Sequence, residues 1–156
     1  MLKLSRHTRG ISLIELMIGL AILGIVLMGG LPSFAAWIQN TQIRTAAESF
    51  QNGLQLARAE AVRRNANVQF VMGAASDWSV SLVADPANPL ESRPTEGSAN
   101  TVVTLSPGAS TKVTFGGLGR VVANDDASAA ITEIKTDSAT TANSRTMCVT
   151  LSAVGA

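Results

Sequence analysis

Histidine and cysteine are almost missing from this 156-residue chain: it has one of each, His7 and Cys148. A cysteine–histidine nucleophile pair needs both groups in one folded site. His7 sits in the basic first ten residues, so the rest of the chain has no partner for Cys148. Zinc needs histidine, cysteine or carboxylate ligands at clustered spacings, and none occurs. A lone cysteine also excludes an intrachain disulfide in an exported domain. The plain expectation for Cys148 is a small buried residue on a strand. Charge is scarce as well, at 15% of residues, with a formal balance of +1. Removing Lys3, Arg6 and Arg9 from the 12 cations leaves nine against 11 acidic side chains, a balance of −2. Such a domain is no general polyanion binder; a nucleic-acid role would need a local patch. A Walker-type phosphate loop is missing too. Gly116-Gly117-Leu118-Gly119 lacks the spacing and the following helix, and reads as a turn between strands. Asp125-Asp126 are adjacent carboxylates, expected to point apart on a solvated turn rather than to hold a cation. No catalytic residue, cofactor or metal is expected.

What the chain does have is one long apolar run. Ile11 to Leu31 is about 21 residues with a single charge, Glu15, and Pro32 closes it. At ~1.5 Å per residue a helix of that length spans the ~30 Å hydrocarbon core of a bilayer. A basic leader before it keeps the N-terminus cytoplasmic and sends the rest outward. An ordinary secretory signal has an apolar region of about 7–15 residues, shorter than this one. A simple single-span anchor fits the length but leaves Glu15 unexplained, because a carboxylate costs roughly 2.5–3.5 kcal/mol at mid-bilayer and less near the interface. A buried core helix of a soluble protein would be shorter.

Beyond Pro32 the pattern stays helical and turns amphipathic. Ile43, Ala47, Phe50, Leu54, Ala57 and Ala61 recur at steps of four and three, with Gln42, Arg44, Glu48, Gln51, Gln55 and Arg58 between them. The spacing predicts one helix from about Ser12 to about Arg64, kinked at Pro32 and stopped at Asn65-Ala66-Asn67. Gly53 is expected to weaken it by ~1 kcal/mol relative to alanine. Arg58, Glu60, Arg63 and Arg64 look like a solvated helix end with local ion pairs. From Asn67 the period becomes two. Val68–Met72 and Trp78–Val83 form a predicted hairpin, and 85–100 reads as a long exposed loop. Further strands are predicted at 101–105, 112–115, 120–123, 131–135 and 146–151. One helix followed by short strands predicts an α+β domain, the helix laid on a mainly antiparallel sheet or two small sheets. The expected organisation is 1–10 leader, 11–31 transmembrane helix, 32–65 amphipathic continuation, and 66–156 β-rich domain packing with 39–65.

The stretch Arg9-Gly10-Ile11-Ser12-Leu13-Ile14-Glu15-Leu16-Met17, with the apolar run, Gly24 and Pro32, resembles the class III signal of type IV prepilins and type II secretion pseudopilins. The resemblance implies a long-helix, pilin-like fold. It also implies a dedicated prepilin peptidase that cuts between Gly10 and Ile11 and methylates the new Ile11 amine. The family usually has phenylalanine where this chain has Ile11. Glu15 becomes the fifth residue after the cut, where the family carries a glutamate that pairs with a neighbour's N-terminal amine. A narrower resemblance lies in Leu54-Gln55-Leu56-Ala57-Arg58-Ala59-Glu60-Ala61-Val62-Arg63-Arg64-Asn65, Asp77-Trp78, Val113-Thr114-Phe115 and Gly119-Arg120. These are similar to the FimT/GspH family of minor pilins and pseudopilins.

Two functions follow from the resemblance. The first is structural: a single-pass inner-membrane subunit with a periplasmic domain that helps initiate a type IV pilus or a secretion pseudopilus. Its partners would be the prepilin peptidase and other major and minor pilins. The second is DNA binding in natural transformation. Some FimT-like pilins use a Gly-Arg-x-Arg motif near the C-terminus, where this sequence ends in Ser152-Ala153-Val154-Gly155-Ala156. Either the chain is truncated relative to those relatives or it lacks that activity. Arg120, Arg63 and Arg64 are the cations left to serve it, and so few release few counterions.

Overall fold

A computed structural model describes residues 10–73, 75–95, 100–139 and 145–152, with the side chains of 29–33 left out. The leader before Gly10, the last four residues and the Pro32 side chain with its expected kink therefore lie outside the described residues. Two units are described separately, the chain up to Ala35 and the chain from Ala36.

Helix α1 runs Leu13–Arg64. It ends because Asn65 takes a left-handed conformation, φ +48°. Asn65 N–H then donates to the Val62 carbonyl at 3.2 Å and Ala66 N–H to the Ala61 carbonyl at 3.2 Å. This is the Schellman closure, with asparagine in the place usually held by glycine. Gly117 packs onto this stop: a Cβ added there would lie 2.5 Å from Asn65 Oδ1 and 3.0 Å from its carbonyl carbon.

From Ala36 onward, α1 faces two antiparallel sheets. The first holds β1 (Val68–Met72), β2 (Trp78–Leu82), β3 (Glu91–Arg93), β5 (Lys112–Phe115) and β6 (Val121–Val122), in the order β3-β2-β1-β5-β6. The second holds β4 (Thr101–Ser106), β7 (Glu133–Ser138) and β8 (Met147–Thr150), in the order β4-β7-β8. The predicted hairpin is β1–β2, with Val68 opposite Leu82 and Met72 opposite Trp78. The glycine-rich turn joins β5 to β6, placing Phe115 opposite Val121. Strand β3 is a correction: it lies inside the stretch read as a loop, because Glu91-Ser92-Arg93 lacks an apolar face and pairs with β2 through its backbone. Other strands shift, the predicted 78–83, 101–105 and 146–151 by single residues at their ends. The predicted 120–123 strand shortens to β6. The predicted 131–135 strand starts later, because Ile131 N–H bonds the Lys112 carbonyl and Thr132 N–H the Ser106 carbonyl, bridging the sheets.

The core is the predicted stripe. Phe50, Leu54, Ala57 and Ala61 are buried against Phe70, Trp78, Val80, Val113, Phe115 and Ile134. Phe70 and Trp78 pack ring to ring at 5.5 Å, and Trp78 Nε1 donates to Ser49 Oγ at 2.8 Å. Gly53 corrects the propensity argument. It sits under these rings, and a Cβ there would meet Phe70 at 2.7 Å and Trp78 at 3.1 Å. Its lack of a side chain lets the helix approach the sheet closely. Two bonds attach the early part of this unit's helix to more distant chain: Gln39 Nε2 donates to the Asn100 carbonyl at 2.7 Å, and Arg145 N–H to Asn40 Oδ1 at 3.1 Å. The sequence-predicted α+β, pilin-like class is the observed one.

Candidate functional site

The expected processing and assembly residues stand at the start of α1. Gly10 and Ile11 are exposed, and no described residue lies within 4 Å of a Cβ built on Gly10. Ser12 precedes the first helical residue, and its carbonyl accepts from Leu16 N–H at 3.1 Å. Ser12-Leu13-Ile14-Glu15 has capping-box spacing, in which the glutamate would reach back to the Ser12 amide. Here it does not: among the described residues the exposed Glu15 carboxylate has neither a hydrogen bond nor an ion pair. The helix after it is apolar on every side. Its large side chains from Leu13 to Met28 range from 50% exposed at Leu27 to 82% at Met28. Such a surface belongs in lipid or against other helices, not in water. Among the described residues no helix is long and apolar enough to cross a membrane.

The arginines considered for nucleic acid are not gathered into an open basic face. Arg63 and Arg64 both close on Glu60, at 2.6 and 2.8 Å. Hydrogen bonds from Arg63 and then Arg64 hold the Glu60 carboxyl down to about 2. Arg120 is exposed on the β5–β6 turn, and its carbonyl accepts from Gly116 N–H at 2.9 Å.

Two sequence expectations are overturned. Asp125 and Asp126 do not point apart: both converge on Lys112 Nζ, Asp126 at 2.9 Å. Asp126 also accepts from Ser128 N–H at 3.0 Å. The loop curls back over β5, so the ammonium of this chain itself occupies the space a cation would need. That contact raises Lys112 and lowers both carboxyls, Asp126 chiefly through Ser128. Cys148 is on a strand, as expected, but exposed, because β8 lies at a sheet edge. Among the described residues no cluster of ligands for a metal occurs.

The family model for the type II transport protein GspH matches residues 46–155. The chain belongs to the GspH family. The model for the prokaryotic N-terminal methylation motif matches residues 5–31, over the start of α1. No curated protein sequence matches this GspH-family chain. Among solved structures it is similar to the type IV minor pilin FimU of Pseudomonas aeruginosa strain PAO1, at 20% identity and a TM-score of 0.53. That match covers 66% of this chain and 77% of the crystallised FimU chain, and it shows a shared fold. A second crystal form of FimU matches at 22% identity and a TM-score of 0.44, over 60% of this chain and 71% of that one. Family and methylation motif together make the chain a structural subunit of the minor pilin or pseudopilin kind.

Sequence reasoning missed the close approach at Gly53. It did place the helix stop at Asn65-Ala66-Asn67, where α1 ends, because asparagine directly after the last periodic residue is a stop signal.

Proposed function

We propose that this subunit is cut between Gly10 and Ile11, methylated on the Ile11 amine, and held in the inner membrane by Ile11–Leu31 with its β-rich domain in the periplasm. It then helps initiate a pilus or pseudopilus by passing its helix into a bundle of neighbouring subunits. The methylation-motif match over 5–31 and the bare glycine at position 10 support the processing step. The observation that carries the assembly step is Glu15: a carboxylate without a partner among the described residues, on a stretch of helix, 13–28, that is otherwise apolar all round. In lipid-like surroundings an isolated carboxylate and an isolated ammonium each carry a desolvation cost. Pairing Glu15 with a neighbour's Ile11 amine relieves both and sets the axial register between subunits.

Glu15→Leu tests this. Removing one partner of a buried pair costs ~3–5 kcal/mol, enough to suppress incorporation. The variant should be made, cleaved and retained in the membrane, yet fail to co-purify with neighbouring pilins at wild-type expression. Normal co-purification would leave Glu15 with no assembly role and favour a simple anchor. Intact mass of the extracted protein reads the cut independently: a chain keeping Met1–Gly10 beside an active prepilin peptidase contradicts the processing step.

A further inference from the structure

A groove of about 200 Å³ is lined by residues of α1 and of both sheets. Leu54 and Gln55 of α1, Val121 of β6, and Val149 and Thr150 of β8 are among them. Strands β6 and β8 are outermost in their sheets among the described residues, so each has one side without a neighbouring strand. Such edges accept an added strand through the backbone. The volume is below that of sites for drug-sized ligands and suits a side chain entering from an extended peptide.

One charged side chain lines this groove, Arg58. It is exposed and, unlike Arg63 and Arg64, has no acidic partner among the described residues. Nor is it loosely placed. Gly119 has φ +71°, and a Cβ built there would lie 3.2 Å from Arg58 Nε and 3.0 Å from Val62. The bare glycine lets the guanidinium stem lie along the β5–β6 turn. A shallower hollow shares Gln55 and Arg58 and continues to Val62. Val62 is 53% exposed, and Leu118 on the same turn is 84% exposed. The surface is thus largely apolar, with one held cation that no described residue compensates.

We propose that this groove binds an extended segment of a partner protein that adds to the outer edge of β8, seats an apolar side chain above Leu54, and places a carboxylate on Arg58. Charge complementarity selects this occupant: an uncharged segment would leave Arg58 unanswered, and a basic one would be repelled. The proposal needs neither cleavage at Gly10 nor the pairing of Glu15.

The test uses the full chain in detergent micelles and two fluorescent hexapeptide pools. Both pools alternate threonine with apolar residues; one carries glutamate at the fourth position and the other lysine. Anisotropy should show the glutamate pool bound more tightly. Arg58→Gln should weaken it about fivefold and abolish the preference over lysine. Gln55→Phe, which fills the groove from an exposed helix position, should remove binding while leaving Trp78 emission unchanged. Equal binding of the two pools, no binding of either, or binding that survives Gln55→Phe overturns the proposal. Binding that appears only when residues 153–156 are deleted assigns the groove to the chain's own end. Concentration-dependent dimers that Gln55→Phe dissolves, without peptide binding, assign it to a second copy. Either result also overturns the partner segment. Peptide binding retained while Glu15→Leu co-purifies normally would instead contradict only the assembly role.

Discussion

The stretches 13–28 and 43–61 belong to one helix and follow different rules. In the first, every large apolar side chain is exposed. In the second, Ile43, Ala47, Phe50, Leu54, Ala57 and Ala61 are buried while Gln51, Gln55 and Arg58 stay out. The glycines differ in the same way. A side chain on Gly19 or Gly24 would meet nothing within 4 Å, whereas one on Gly53 would strike two aromatic rings. The glutamates differ too: Glu60 holds two arginines, and Glu15 holds nothing described. The comparison teaches that helical sequence reports the helix's surroundings. A stripe means one side is protein and the other water; an all-round apolar surface means that water is not the surroundings.

Substitutions in matched pairs can break this contrast. The largest stability effect should come from Phe50→Ala, about 3–5 kcal/mol, because the ring is fully buried. Ile18→Ala should leave the denaturant midpoint of the β-rich domain where it is. Equal losses for the two would mean that the first stretch also packs on the domain. Next comes Gly53→Ala, which gains helix propensity but overpacks the Phe70–Trp78 contact and should cost ~1–3 kcal/mol. Gly24→Ala should cost the domain nothing. A stabilised Gly53→Ala would show that the rings can withdraw. Ser49→Ala should follow at ~1–2 kcal/mol, since it strands the buried Trp78 N–H, with a shift in Trp78 emission as the second readout. The smallest effect belongs to Glu60→Gln, under ~1 kcal/mol at pH 7, because the arginine partners are 63% and 36% exposed. Its sign depends on pH. Glu60 is lowered from 4.5 to about 2, so its contribution is complete above pH 4.5 and fades as pH falls through 2. The difference between wild type and Glu60→Gln should close over that window. A gap that persists well below pH 2 would point to packing rather than charge.

Much of this could be read from residues alone. The helix was expected from Ser12 to Arg64 and runs Leu13–Arg64, because a stripe sustained over many turns is a strong periodic signal. Strands β1, β2 and β5 had alternating apolar residues; β1 and β5 were read at their observed bounds and β2 one residue too long. Strand β3 had no such pattern and was invisible, since backbone pairing to β2 leaves no mark on side-chain order. The Asp125-Asp126 loop was misread for a related reason. Which way two adjacent carboxylates turn depends on Lys112, 13 residues earlier in the chain and brought near only when the loop folds back.

By itself, the sequence determined the quantities that repeat along the chain: the length of the apolar run, the stripe on the second stretch of helix, and the motif Gly10, Ile11 and Glu15. These are local, and each is set by residues a few positions apart. The tertiary structure decided what depends on contacts between distant segments. It made Gly53 a packing requirement rather than a weakness, closed Lys112 over two carboxylates, left Cys148 exposed on an edge strand, and set Arg58 in a groove lined by both sheets with no acidic partner among the described residues. The physical reason is that burial, pairing and edge position are properties of which surfaces meet, and the order of residues does not state which surfaces those are.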